Sequence, residues 1–326
     1  MKFILNIPKI IPILLFVSIF TVSCSDDDNN NNQPQQQTIV ELAVDTPELS
    51  TLVAALQAAD GDLVNVLSGG NFTVLAPTNT AFDAFLAANG FASLDEVPTD
   101  VLSNILLNHV ITGTVDSGDL IANGAGYTET NATNADGDNL SLYFDTSNGV
   151  IFNGISAVST PDVDASNGVV HIVNTVIGLP TVVTFATADP TFETLVVALT
   201  REDLTFDYVG TLSSTMSPAP FTVFAPTNQA FADLLTELEL SELGDISEPV
   251  LKATLDHHAV ANANVRAEDL SQDMEVGTLG GPITISLDSG AQIIDANERT
   301  INIIATNVQA INGVIHAVDK VILPPL

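Results

Sequence analysis

FTVLAPTNTAF (residues 72–82) and FTVFAPTNQAF (residues 221–231) are one eleven-residue phrase written twice, 149 positions apart, with two letters changed. Apolar and polar residues alternate up to Pro77 or Pro226, as in a half-buried strand that the proline then ends. Thr78 or Asn79, and Thr227 or Asn228 in the second copy, stand where a helix N-cap belongs. The helix that follows turns Phe82, Phe85 and Leu86 inward, matched by Phe231, Leu234 and Leu235. The phrase predicts a strand, a sharp turn and a helix start, and it predicts them twice.

Outward from the phrase the repeat continues. TPELSTLVAAL (46–56) places Leu49, Leu52, Val53 and Leu56 on one helical face, with Thr46 as N-cap and Pro47 in the first turn. DPTFETLVVAL (189–199) does the same with Phe192, Leu195, Val196 and Leu199, capped by Asp189. VLSNILLNHVITGTVDSGDL (101–120) and VLKATLDHHAVANANVRAEDL (250–270) read as helix, then extended chain. His109 and His258 follow apolar residues at helical spacing there, the pattern of a core histidine held by hydrogen bonds rather than of a ligand or base. NGVVHIVNTVIGLP (167–180) and NGVIHAVDKVILPP (312–325) read as an Asn-Gly turn into a β-branched strand carrying His171 or His316. No His, Cys or acidic neighbour lies at zinc-ligand spacing, so no metal centre is expected at these histidines.

Four blocks in one order, twice over, resemble the fasciclin-type domain, across about residues 38–180 and 181–326. The phrase resembles that family's first conserved segment, the NGVIHAVDKVILPP block its second, and the NHV and HHAV histidines its middle Tyr-His motif. The resemblance implies an α+β fold of two tandem domains, each a β-wedge or sandwich flanked by short helices, used mostly in extracellular adhesion. It makes Thr78, Asn79, His109, His171, Thr227, Asn228, His258 and His316 motif residues with a mainly structural role. It also makes Asn108, His109, His257 and His258 a possible adhesion region, with Asn108 and His257 in the place of the family's Tyr.

The N-terminus sets an address. Lys2 and Lys9 precede IIPILLFVSIF (10–20), an apolar run suited to the h-region of a secretory signal over 1–23. TVSC resembles a bacterial lipobox, with Thr21 where Leu is usual, which makes Cys24 a lipid attachment site and the membrane a partner through that anchor. SDDDNNNNQPQQQ then reads as a disordered acidic and polar tether over 24–37. Its SDDD start is either a plain spacer or, by resemblance, a signal for the outer face of the outer membrane. Export across the inner membrane and lipid anchoring at an exposed surface are expected.

All forty acidic residues follow Cys24 while only five of the seven Lys and Arg do, a net charge of −35 for the chain after the signal. Nucleic acid and anionic lipid headgroups are therefore poor partners. No Lys or Arg occurs from Cys24 to Thr200, so the first domain is expected to form no Lys or Arg salt bridge and to gain stability from salt or divalent cations. NADGDNLSLYFD (134–145) offers Asp136, Asp138 and Asp145 as a weak calcium candidate, but Asn139 stands where a calcium loop needs Gly, and Asp136-Gly137 suits a hairpin turn. No cofactor is expected beyond loosely bound Ca2+, and no nucleophile elbow, zinc-protease or phosphate-loop motif is present.

Three functions remain open: an adhesion or binding lipoprotein contacting extracellular polysaccharide or surface protein, an acidic structural lipoprotein of the envelope with diffuse divalent-cation binding, and, less favoured, an enzyme on surface polymers using His257 or His258. The short joint near GLPTVVTF (178–185) predicts two domains in fixed contact.

Overall fold

The computed structural model describes residues 36–325. The expected signal segment 1–23, Cys24 and nearly all of the tether expected over 24–37 lie outside the described residues.

β-branched and aromatic runs bounded by turn residues become two seven-stranded sheets. The first holds β1 (Phe72–Pro77), β2 (Val110–Thr112), β3 (Ala125–Thr133), β4 (Asn139–Asp145), β5 (Ile151–Phe152), β6 (Ser156–Ala165) and β7 (Gly168–Val173), in the order β2-β1-β7-β6-β5-β4-β3. The second holds β8 (Phe221–Pro226), β9 (Ala259–Ala261), β10 (Glu275–Thr278), β11 (Gly281–Ser286), β12 (Gln292–Ile294), β13 (Thr300–Ala310) and β14 (Gly313–Val318). Its order, β10-β11-β12-β13-β14-β8-β9, is the same topology, with β8 standing for β1 and β14 for β7.

The repeated phrase forms an inner strand of each sheet. β1 runs antiparallel to β2 and parallel to β7, from Phe72 beside Gly168 to Pro77 beside Val173. β8 sits likewise between β9 and β14. Every residue of β1 and β8 is buried, which corrects the half-buried strand that alternation predicts. The alternation is real, but both faces are covered. Phe72, Val74 and Ala76 meet a helical layer, whereas Leu75 faces a second core with Leu142, Phe144 and Phe152. Thr73, the polar letter, is fully buried and survives there because its hydroxyl is hydrogen-bonded on both sides.

The helical layer of the first domain comprises Ile39–Asp45, Ser50–Ala58, Leu63–Gly69, Asn79–Ala88 and Thr99–Leu107. Its inward residues are those the periodicity predicts: Leu52, Leu56, Phe82, Leu86, Leu102, Ile105 and Leu106 are all buried, each contributing roughly 1.5–3 kcal/mol of transfer free energy. Thr46 and Pro47 open a short 3-10 turn (Pro47–Leu49), and the α-helix begins only at Ser50. Val182–Ala188, Glu193–Leu199, Tyr208–Ser213, Asn228–Glu237 and Glu248–Asp256 repeat the layer in the second domain, against the core of Phe185, Phe221, Phe231 and Leu251. That core also takes in Tyr143 from β4 of the first domain.

Candidate functional site

The motif side chains are joints of the frame. Thr78 accepts from the Ala81 N–H and Thr227 from the Ala230 N–H, each capping the helix after the phrase. Asn79 Oδ1 accepts from the Thr51 N–H while its Nδ2 donates to Pro47 O, so it ties down the start of the preceding helix. Asn228 repeats this with the Thr194 N–H and Pro190 O. The Asn of each Asn-Gly turn does more than turn the chain. Asn167 accepts from the Ile39 N–H and donates to Leu67 O and Gly70 O, and Asn312 accepts from the Val182 N–H and donates to Leu212 O and Ser214 O.

The four repeated histidines are staples too. His109 Nδ1–H donates to Ile105 O at 2.7 Å, and its Nε2 accepts from the Ile177 N–H at 2.8 Å. A backbone N–H can only donate, so Nε2 is bare and the proton sits on Nδ1. His258 is held the same way by Thr254 O and the Ile322 N–H. Burial pushes the pKa of both imidazoles down to about 4, against the small opposing effect of the carbonyl each donates to. His171 uses the other tautomer. Its Nδ1 accepts from the Asp162 N–H and its Nε2–H donates to Val115 O, while Thr73 accepts from the N–H of that same Val115. His316 and Thr222 clamp Val265 identically, with the Asn307 N–H on His316 Nδ1. Asp162 (φ 56°) and Asn307 (φ 60°) sit in the left-handed region at bulges in β6 and β13, so each histidine fastens a bulge to the loop across the sheet.

This placement overturns the adhesion region expected at Asn108, His109, His257 and His258, for none of the four is more than 4% exposed. Asn108 donates to Ile177 O and Gly178 O and accepts from the Thr130 hydroxyl. His257 donates to Ala253 O and lies against the turn at Gly280, where a Cβ would stand 2.1 Å from its Nδ1. The Gly-Gly turn exists to admit this ring. Neither residue can meet a partner or a polymeric substrate without unfolding its helix end.

The calcium candidate is not assembled either. Asp138 precedes β4 and Asp145 ends it, and Asp145 accepts from the Ser147 N–H. Among the described residues no group of three His, Cys, Asp or Glu converges on a metal-binding arrangement. Asp136-Gly137 is the hairpin turn, organised by Asn134 Oδ1, which accepts from the N–H groups of Asp136 and Asp138.

Asp138 and Asp136 point across a domain boundary instead. Arg266 Nη1 lies 3.0 Å from Asp138 Oδ1, so the first domain does have a salt bridge, its cation supplied by the second. Asn264 Nδ2 donates to both aspartates at 3.1 and 3.2 Å. Beside them the Gln309 N–H donates to Ser141 Oγ at 2.9 Å, the Ile311 N–H donates to Pro180 O, and Tyr127 OH donates to Asp189. Tyr127 stacks obliquely on Tyr143 and edge-on to Phe185, 5.1 and 5.6 Å between ring centres. Burial, then the Asp189 charge, push the Tyr143 phenol up to about 12 and the Tyr127 phenol further. The domains are fastened by an aromatic core with a polar rim, as the short joint predicts. Arg266, Asn264, Gln309 and Tyr127 carry no motif and were invisible in the sequence. The one hint was a cation-free domain facing a neighbour that has cations.

Comparison with known proteins agrees with this architecture. The fasciclin domain family model matches residues 47–180 and again 190–324. The Synechocystis protein sll1735 is 36% identical over 146 residues, 44% of this chain and 98% of the relative. The pig transforming growth factor-beta-induced protein ig-h3 is 28% identical over 257 residues, 78% of this chain but 35% of that protein. The cell surface glycolipoprotein MPB83 of Mycobacterium bovis is 45% identical over 80 residues, 23% of this chain and 34% of the relative. A solved FAS1 domain pair from the insect cell adhesion molecule Fasciclin I superposes with a TM-score of 0.51 at 20% identity, covering 85% of this chain and 97% of that one. Two family matches spanning most of the chain, on two copies of one sheet topology, make this protein a member of the fasciclin domain family with two tandem domains.

Proposed function

We propose that this protein is a surface-anchored adhesion or binding lipoprotein, held by lipid at Cys24 and contacting extracellular polysaccharide or surface protein through its exposed face. The observation that carries the reading is where the motif residues went: all are consumed in holding the frame, which leaves the surface of two domains in contact free for recognition. Relatives that are surface or adhesion proteins, MPB83 and Fasciclin I by name, favour the same class. Among the described residues no single helix is long and apolar enough to cross a membrane. With the domains in contact, binding is by one continuous surface rather than by two independently swinging modules.

The test is binding of the two-domain region 36–326 to intact cells and to extracted cell-surface polysaccharide, with calcium and with chelator. Saturable binding supports adhesion. No binding under either condition overturns it and favours the envelope-structural role, for which the cation-free first domain would take up divalent ions diffusely and salt-sensitively. Labelling with a radioactive fatty acid, lost in Cys24→Ser, tests the anchor.

A further inference from the structure

A cleft of about 280 Å³ opens where the two domains meet, between the β3–β4 hairpin of the first and the loop before β8 of the second. That loop is seven residues long, 214–220, where the first domain uses two, 70–71. The frame does not need the extra length: Asn167 reaches Gly70 O from the short loop just as Asn312 reaches Ser214 O from the long one. The added residues bring Thr215, Ala219 and Pro220 to the cleft wall, opposite Asn134 and Asp136 and beside Asn264. Neither domain alone has this cleft.

Several polar groups there are left over after the protein has bonded to itself. Asp136 accepts through Oδ2 from Asn264, and no hydrogen bond engages its Oδ1 among the described residues. The Thr215 hydroxyl has no partner among the described residues. Asn264 Oδ1 is buried without one and closed off from the cleft, so Asn264 serves the site by holding Asp136 through its Nδ2. The surplus open to the cleft is thus one carboxylate oxygen and one hydroxyl, complementary to a ligand with O–H donors. Asp138 is neutralised by Arg266, but Asp136, which no Lys or Arg pairs among the described residues, repels an anion, and Ala219 with Pro220 offer a small apolar wall to the C–H face of a sugar ring. The volume falls just below the roughly 300–1,000 Å³ of sites for drug-sized ligands, which suits a chain end rather than a long stretch.

We propose that this interdomain cleft is a subsite for the terminal sugar of an uncharged glycan, with hydroxyls donated to Asp136 and shared with Thr215. The proposal rests on the surface-binding function above and says where that binding occurs.

The probes are soluble oligosaccharides of neutral hexoses, of N-acetylhexosamines and of uronic acids, presented on an array to the two-domain region and then titrated by calorimetry. The expected result is saturable binding of an uncharged sugar, with uronic acids at least tenfold weaker. Thr215→Val, and a variant carrying the two-residue loop of the first domain in place of 214–220, should each weaken binding about tenfold, as loss of one or two hydrogen bonds predicts, with melting unchanged. Uronic acids bound equally well, variants that bind like the parent, or no array sugar bound while cells still are, would each overturn the subsite and leave surface binding standing. Failure to bind cells, polysaccharide and array alike overturns both.

Discussion

Acidification should weaken this fold through two histidines that make no contact with a ligand. His109 and His258 are neutral in the folded chain with pKa values of about 4, whereas an unfolded imidazole titrates near 6.5. The folded value lies below the unfolded one, so the unfolded chain binds more protons between these limits. The stabilisation is present in full above pH 6.5 and is lost as pH falls towards 4. At pH 5 the unfolded imidazole is almost wholly charged and the buried one mostly neutral, which costs about 2 kcal/mol per histidine. Acid also protonates carboxylates and relieves the self-repulsion of a chain at −35, so the bare pH profile mixes opposing effects. A variant separates them. Urea unfolding of the parent and of His109→Gln is followed by circular dichroism, the chain having no Trp, at pH 7.5 and pH 5. The variant starts less stable, having lost the Ile105 and Ile177 bonds, but its stability should fall about 2 kcal/mol less than that of the parent between the two pH values. Parallel profiles, or a His109 proton resonance titrating near 6.5, would refute the reasoning.

Thr73→Val keeps the shape of the side chain but leaves Gly113 O and the Val115 N–H unpartnered in a buried strand, so a loss of about 2–4 kcal/mol is expected in denaturant unfolding. A loss under 1 kcal/mol would mean that water replaces the hydroxyl. At Gly168 (φ +143°) a Cβ would stand 1.8 Å from Phe72 O, so Gly168→Ala should prevent β1 and β7 from pairing and yield insoluble protein. Gly149→Ala, at φ +86° with nothing within 4 Å, should cost only about 1 kcal/mol and serves as its control. Arg266→Gln removes the one cation that reaches the first domain among the described residues; partial exposure limits the loss to about 1 kcal/mol, but the distribution of interdomain distances in small-angle scattering should broaden. Molar salt should raise the melting temperature by screening carboxylate repulsion, and a melting temperature indifferent to salt would show that the charge is already neutralised locally.

Much of the frame was legible from residue pattern alone because its causes are local. Helical spacing of Leu52, Phe82 and Leu102, the caps at Thr78 and Thr227, and the Asp136-Gly137 turn all follow from contacts within a few residues. The core role of His109 and His258 could be read from the apolar residues before them, but their partners could not, since Ile177 and Ile322 lie more than sixty positions away. Alternation in the phrase correctly sorted Phe72 and Val74 from Thr73. It could not say that a second core covers the other face, because that depends on where β3 to β5 fold back.

The sequence by itself determined that one domain is repeated, where its strands and helices begin, and that the first copy lacks cations, for these depend on side-chain size, turn chemistry and composition. Only the tertiary structure decided which distant backbone groups the family's motif residues fasten and that Asp138 meets Arg266. It alone decided that an open cleft lies between the domains. Those outcomes turn on the packing of surfaces far apart in the chain, where hydrogen-bond partners and burial are set by the neighbour that arrives and not by the residue that waits.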